Sequence, residues 1–408
     1  MSLVFFYPQF KKLTGAERLI LKLADYTARQ LGTEGDVTLL THRFADECRP
    51  ALAESVRLVE TRWPLEVTGN HYLDAAVEYA LGPALALRLP LRRLSGVVFF
   101  GPPSVPAMWF ARRILFPLIG KRVPALYFCF EPPRFIYSDT SDIVARLGGL
   151  GRLLPPAFTL YRWLDRRMVG AAHRILSNSP YGSRRIWDAY KRKAVVIEHG
   201  VDFATPTNEE ISNLRSRYRL NGRVVAVTVN HLHPRKRIAL FLRSVHLAGQ
   251  RVPNATALIV GDGPERDRLH ALASELGMEV GRDVVFTGAV PEEELPAHYA
   301  LANVYVHTGR EESFGLSVIE ALRLGLPVVA VDEGGPRDTV QHGISGCLVA
   351  PTPEALGDAI AGMLSQSDRA RQMGKAGARF VSERFRWERG AATLLRVLQR
   401  VKKKCARS

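Results

Sequence analysis

Two doubly wound α/β domains, each a parallel sheet with helices on both faces, are the fold this sequence predicts. Three observations carry that prediction. Short runs rich in Val, Leu and Ile alternate with longer helical patterns along the chain. Continuous apolar runs of this kind are parallel strands buried on both faces, joined by crossover helices. The alternation comes as two series, separated by the Pro/Thr/Asn-rich stretch HGVDFATPTNEE at 199–210. Finally, the loops richest in glycine and charge follow strands, where open α/β sheets bind ligands.

Taken in order, the first series places strands at Leu3–Tyr7, Val37–Thr41, Gly96–Phe100, Ala125–Phe130, Arg174–Ser177 and Val195–Ile197. The second places them at Val224–Val229, Ala257–Val260, Val284–Thr287, Val304–His307, Val328–Val331 and Cys347–Val349. Helical patterns lie between them at Ala16–Leu31, Ile238–Ala248, Glu265–Leu276, Glu293–Leu301 and Ser317–Leu324. The expected domains are 1–200 and 201–386. A last helix, about 387–408, is expected to pack back on the first domain.

The chain of 408 residues is 47% hydrophobic and 24% charged, as ordinary globular proteins are. Its four cysteines form no C-x-x-C pair, so neither a disulfide framework nor a metal site is expected, and a reducing cytosol fits. The apolar start MSLVFFYPQFKK has its basic residues after the apolar run, the wrong order for a signal peptide. No window offers the ~20 uninterrupted apolar residues of a membrane span.

Charge is uneven. Residues 1–200 hold 28 Lys and Arg against 17 Asp and Glu, residues 201–399 balance at 23 each, and the tail RVKKKCARS is purely basic. Basic and apolar residues are interleaved in LALRLPLRRL (85–94), FARRILFPLIGKR (110–122) and LYRWLDRRMV (160–169). Such segments suit an anionic membrane surface, at about 1 kcal/mol per basic side chain, or else are helices with solvated faces. Nucleic acid is not expected as a partner, because no nucleic-acid-binding module is present.

Four loops carry candidate chemistry. In FKKLTGAER (10–18), a loop holds Gly15, where backbone can approach a ligand closely, and Ala16-Glu17-Arg18 opens a helix whose free N–H groups suit a phosphate. In TVNHLHPRKR (228–237), His231, Arg235 and Lys236 gather cations at a strand end, enough to neutralise a diphosphate. In VGDGPERDRL (260–269), Gly261 and Gly263 follow a strand and are expected to face the ligand, but they lack the third glycine of the dinucleotide fingerprint, which argues against a dehydrogenase. The fourth, GREESFGLSVIEALRLGLPVVAVDEGGPRD (309–338), spaces Glu312 and Glu320 eight apart around Phe314-Gly315-Leu316. A helix starting near Gly315 would offer its N–H groups to a diphosphate, with Glu312 beside the ligand and Glu320 nearly two turns on.

The fourth string resembles the E-x7-E signature of retaining nucleotide-sugar glycosyltransferases, family 4 (group 1), of the GT-B fold. TGAER, SNSPYGSRRI (177–186), IEHGVD (197–202), NHLHPRKR and VGDGP resemble that family's other segments, in order. FEPPR (130–134) resembles its H-x-P-P-R. The resemblance implies two Rossmann-like domains facing each other across a cleft. The first would take a glycan or polyprenyl-linked acceptor. The second would take the nucleotide sugar, GDP-mannose first and a UDP-sugar next, with no metal cofactor. It implies transfer of a hexose at the cytoplasmic face of the membrane by a peripheral enzyme. Gly15 would give an N–H to the donor phosphate, Lys236 would pair with the diphosphate, and Glu312 with the amides of Phe314, Gly315 and Leu316 would hold sugar and phosphates. Glu320 would bind the ribose.

Three positions depart from the pattern. Thr14 stands for a glycine, His231 for an arginine and Phe130 for a histidine near the anomeric carbon, which leaves Glu131 as the ionisable group at that strand end. A front-face retaining transfer does not require a histidine base, since the leaving diphosphate takes the acceptor's proton. Arg235 and Arg237 are expected to offset His231. The rival expectation is a catalytically silent homologue that binds a nucleotide sugar or supports a partner enzyme.

Overall fold

A computed structural model describes residues 1–61, 71–137 and 154–407. The chain forms two units, Met1–Gly200 with Trp387–Ser408, and Val201–Arg386.

Unit 1 is built on seven parallel strands: β1 Ser2–Phe6, β2 Asp36–Thr41, β3 Val56–Glu60, β4 Leu94–Phe100, β5 Ala125–Phe128, β6 Arg174–Ser177 and β7 Ala194–Val196. Their spatial order is β3-β2-β1-β4-β5-β6-β7. Unit 2 has six: β8 Val224–Val229, β9 Ala255–Val260, β10 Val284–Gly288, β11 Val304–His307, β12 Val328–Val331 and β13 Gly346–Val349. Their order is β10-β9-β8-β11-β12-β13. In both, the order reverses beside the first strand, between β1 and β4 and between β8 and β11. That reversal opens a crevice at the strands' carboxyl ends.

The central strands are apolar on both faces because helices cover both; β1, β5, β9, β11 and β12 are buried throughout. β3 escapes the sequence reading because VRLVE alternates and sits at the sheet edge, mostly half-buried. The run expected to reach Phe130 leaves the sheet at Phe128, since Pro132 and Pro133 follow closely and cannot donate to a ladder.

Helix α1, Gly15–Leu31, starts at Thr14, whose N–H donates to the Glu17 carboxylate at 3.2 Å. Thr14 thus serves as the helix cap. The last helix, Trp387–Arg407, lies along α1 in unit 1. Its buried stripe, Trp387, Ala391, Leu394, Leu398, Val401 and Cys405, recurs every three to four residues and joins the unit 1 core. A side chain at Gly96 of β4 would meet the Leu398 methyl at 2.7 Å, so the glycine lets this helix seat. The other face carries Arg389, Arg396, Arg400, Lys402, Lys403 and Lys404, all exposed.

Candidate active site

The strongest sequence motif and the cationic loop meet at the reversal point of unit 2. The loop after β8 (230–237) and the loop after β11 (308–315) are sewn together by backbone. Arg310 N–H donates to the Arg235 carbonyl at 2.8 Å, and the Thr308 hydroxyl donates to the Lys236 carbonyl at 2.7 Å. The Lys236 ammonium forms an ion pair with Glu312 Oε2. Arg237 and Glu311 flank this pair with left-handed backbone, at φ 50° and 48°. Such conformations cost about 1–3 kcal/mol in non-glycine residues and persist where the surroundings impose them.

Burial alone would raise the Glu312 carboxyl. The Lys236 ammonium, His307 and Arg235 outweigh it and hold the carboxyl down at about 2. Glu312 therefore stands as a fixed anion beside a fixed cation. Behind them Gly315, at φ 80°, caps a helix over Leu316–Arg323. Phe314 turns its ring inward against Phe385, 5.7 Å between centroids.

Gly334 and Gly335, after β12, hold this turn from below. Gly335 N–H donates to the Glu312 carbonyl at 2.6 Å. A Cβ on Gly335 would lie 2.6–2.7 Å from Phe314 backbone atoms. Gly261 and Gly263 have the same use. A side chain on either would strike the Asn230 or Leu232 carbonyl, and Leu232 N–H donates to the Asp262 carbonyl at 2.9 Å. These two glycines, read from sequence as facing a ligand, are packed against the cationic loop and fix its path.

Glu320 lies in the same helix as Leu316 but is 97% buried, with Oε2 accepting from the Tyr299 hydroxyl at 2.8 Å. Tyr299 is on the helix Leu295–Ala300. Beside it the Tyr305 hydroxyl of β11 donates to Ser317 Oγ at 2.6 Å. His307, Tyr299, Tyr305 and Ser317 escaped the sequence reading. A histidine closing the apolar strand VYVH was the one signal that marked any of them.

Of the cations expected to offset His231, Arg237 is engaged by Glu333 at 3.2 Å. Arg235 is exposed at the mouth of the loop, as is His231. His233 caps the turn Pro234–Lys236, its Nδ1 accepting from Arg235 N–H at 3.4 Å. Among the described residues no group of three or more His, Cys, Asp or Glu is placed to hold a metal ion.

In unit 1, Gly15 is exposed at the start of α1, after the switch strand β1. Glu17, in the first turn of α1, is buried and accepts from the Tyr7 hydroxyl at 2.8 Å. Phe130 leaves β5 stacked on Phe100, 6.2 Å and 27°, and tilted against Phe128 at 5.2 Å. Glu131 is not the lone ionisable group there: it forms an ion pair with Arg134, three residues on. The proline pair between them turns the chain back and brings the two together.

The sequence profile of the family "Glycosyl transferases group 1" matches residues 211–380. A GDP-mannose-dependent alpha-(1-6)-phosphatidylinositol monomannoside mannosyltransferase of Mycobacterium tuberculosis is 38% identical over 271 residues, 61% of this chain and 70% of that protein. The Mycolicibacterium smegmatis enzyme of that name is 35% identical over 60% of this chain and 66% of its own. Among solved structures, Anabaena HepE in complex with UDP and glucose superposes with a TM-score of 0.72 at 20% identity, covering 97% of this chain and 99% of that one. A sucrose-phosphate synthase from Thermosynechococcus elongatus gives 0.74 at 19% identity, covering 98% of each chain. The chain belongs to the group 1 glycosyl transferases: it is a glycosyltransferase of GT-B fold.

Proposed function

We propose that this enzyme transfers a hexose, mannose foremost, from a nucleotide diphosphate sugar to a lipid-linked or other glycan acceptor, with retention of anomeric configuration. The observation that carries this reading is the Lys236–Glu312 ion pair in front of the helix that starts at Leu316. The helix N-terminus, Lys236 and Arg235 together suit a leaving diphosphate, whose departure is the difficult step. Glu312, held ionised, can accept hydrogen bonds from sugar hydroxyls. Glu320 would read the ribose, and Gly15 would offer an N–H from unit 1. The diphosphate oxygen would take the acceptor's proton as the new glycosidic bond forms on the same face. GDP-mannose is favoured as donor by the names of the two mycobacterial relatives.

The acceptor reading rests on unit 1. Leu87, Leu118, Leu160 and Trp163 are exposed there, beside exposed Arg88, Arg113, Arg122, Arg166 and Arg167. Exposed apolar side chains that neighbour exposed arginines in sequence suit an anionic lipid surface. No helix among the described residues is long and apolar enough to cross a membrane. A peripheral place at the cytoplasmic face follows from this reading.

The test is a thermal-shift panel of GDP, UDP and ADP with their sugars, then transfer to membrane lipid extract with and without EDTA. Stabilisation by GDP and GDP-mannose, EDTA-resistant transfer and an α-linked product are expected. Binding without turnover on any acceptor would favour the silent homologue. Sedimentation with anionic but not zwitterionic vesicles checks the membrane part.

A further inference from the structure

His307 closes β11 with its side chain fully buried, at the strand end where the reversal crevice opens. Its Nε2 has no hydrogen-bond partner among the described residues. A buried ring nitrogen without a partner is costly, so its surroundings call for explanation. The nitrogen faces the empty space over Gly309. A Cβ built there would lie 3.0 Å from His307 Nε2 and 3.6 Å from Glu312 Oε2. The oxygen that faces this space is the one paired with Lys236.

The imidazole's proton can be placed by its neighbours. The Tyr305 hydroxyl spends its own proton on Ser317 Oγ at 2.6 Å and stands 3.5 Å from His307 Nδ1, too far for a strong bond. A lone pair on Nε2 would face the Glu312 carboxylate, whereas an N–H there is attracted to it. The neutral ring therefore carries its proton on Nε2. Burial holds the ring neutral, lowering its pKa to about 4, with Glu312 opposing that and Lys236 adding to it.

We propose that His307 is a positioning residue for Glu312: as Lys236 turns its ammonium to the donor diphosphate, the His307 Nε2–H takes up the carboxylate oxygen that Lys236 leaves. Without that second donor, Glu312 would face an anionic diphosphate with its own cation drawn away. Arg235 is the remaining cation near Glu312, and it is exposed at the loop mouth. Gly309 has no side chain to fill the space between nitrogen and oxygen, so the carboxylate is free to move toward the ring. This inference rests on the donor reading of the Lys236–Glu312 site.

Two measurements test it and separate it from that reading. The first compares His307→Leu with His307→Gln, whose amide restores an N–H near the Nε2 position. His307→Leu is expected to lose about tenfold or more in kcat/KM for GDP-mannose, in keeping with a lost charge-assisted bond, and to move the acidic limb of the pH profile to higher pH. His307→Gln keeps most of the rate and the wild-type limb. Equal behaviour of the two variants overturns the proposal. The second needs no turnover: the 15N signal of His307 Nε2, assigned by its loss in His307→Gln, is followed as GDP or UDP saturates the protein. A shift in the wild type that vanishes in Glu312→Gln supports the proposal. A signal that stays fixed while the nucleotide binds overturns it, whatever the transfer assay shows.

Discussion

Replacing Lys236 by methionine keeps the length of the side chain and removes its charge. Glu312 then loses the nearest of the groups that hold its carboxyl at about 2 rather than the ordinary 4.5. At about 1.36 kcal/mol per pH unit, that depression corresponds to roughly 3 kcal/mol of folded-state stability at pH 7. His307 and Arg235 share it, so Lys236→Met should cost about 2 kcal/mol. The sign follows from the depressed pKa. The contribution is complete above pH 4.5 and is lost as pH falls from there through about 2. By pH 3 roughly half of it has gone. Thermal unfolding of wild type and variant, run from pH 7 to pH 3, is the assay. The gap between them should be widest at neutral pH and narrow below about 4.5. A gap that is constant with pH, or none at all, would show that the pair does not hold the carboxyl down. Transfer should fall by about 10²–10³, the scale of a lost electrostatic contact to a leaving group.

Four further outcomes are expected. Gly335→Ala forces its new methyl within 2.6–2.7 Å of the Phe314 backbone, so it should destabilise by about 1–3 kcal/mol and weaken nucleotide binding in the same thermal-shift assay; unaltered binding would mean that this turn does not touch the donor. Tyr299→Phe removes the 2.8 Å bond to Glu320 and should raise the donor KM several-fold, in line with about 1 kcal/mol, with little change in kcat; steady-state kinetics with an unchanged KM would sink the ribose role. Phe130→His should keep or raise transfer while Glu131→Ala lowers it, and a folded but inactive Phe130→His would refute the reading of that strand end. Asp165, buried with the Tyr137 hydroxyl at 3.0 Å, has a carboxyl pushed up by burial from 3.8 to about 6. The native state thus binds the extra proton, and stability falls as pH rises from 3.8 to about 6, by up to roughly 3 kcal/mol. Asp165→Asn should remove that fall in melts at pH 4 and 7, and a persisting slope would assign it elsewhere.

Most of the fold could be read from residues because its central strands are apolar on both faces. A run such as VVAVTV has one reading when helical patterns flank it. The edge strand VRLVE could not, since half-exposed alternation competes with loop and helix. The site divides in the same way. Lys236 and Glu312 stand in motifs whose spacing is local, so their residue types announced them. The glycines at 261, 263, 334 and 335 were visible as glycines that follow strands. Their partner was not: each lies against another loop of the same unit, and which loops adjoin is set by strand order. His307 and Tyr299 were hidden for a related reason. Buried polar residues read as interior until the opposite atom is known.

The seating of the last helix in unit 1 also orders the birth of the molecule. The chain leaves unit 1 at Gly200 and re-enters it at Trp387, and these residues touch: a Cβ on Gly200 would meet the Trp387 ring at 2.5 Å. Unit 2 is therefore threaded into unit 1 as an insert whose entry and exit are side by side. During translation the insert emerges whole while unit 1 still lacks its closing stripe of Leu394, Leu398 and Val401. Until the ribosome delivers those residues, α1 keeps an apolar face bare, so a nascent chain halted at that stage exposes apolar surface in unit 1 rather than in unit 2.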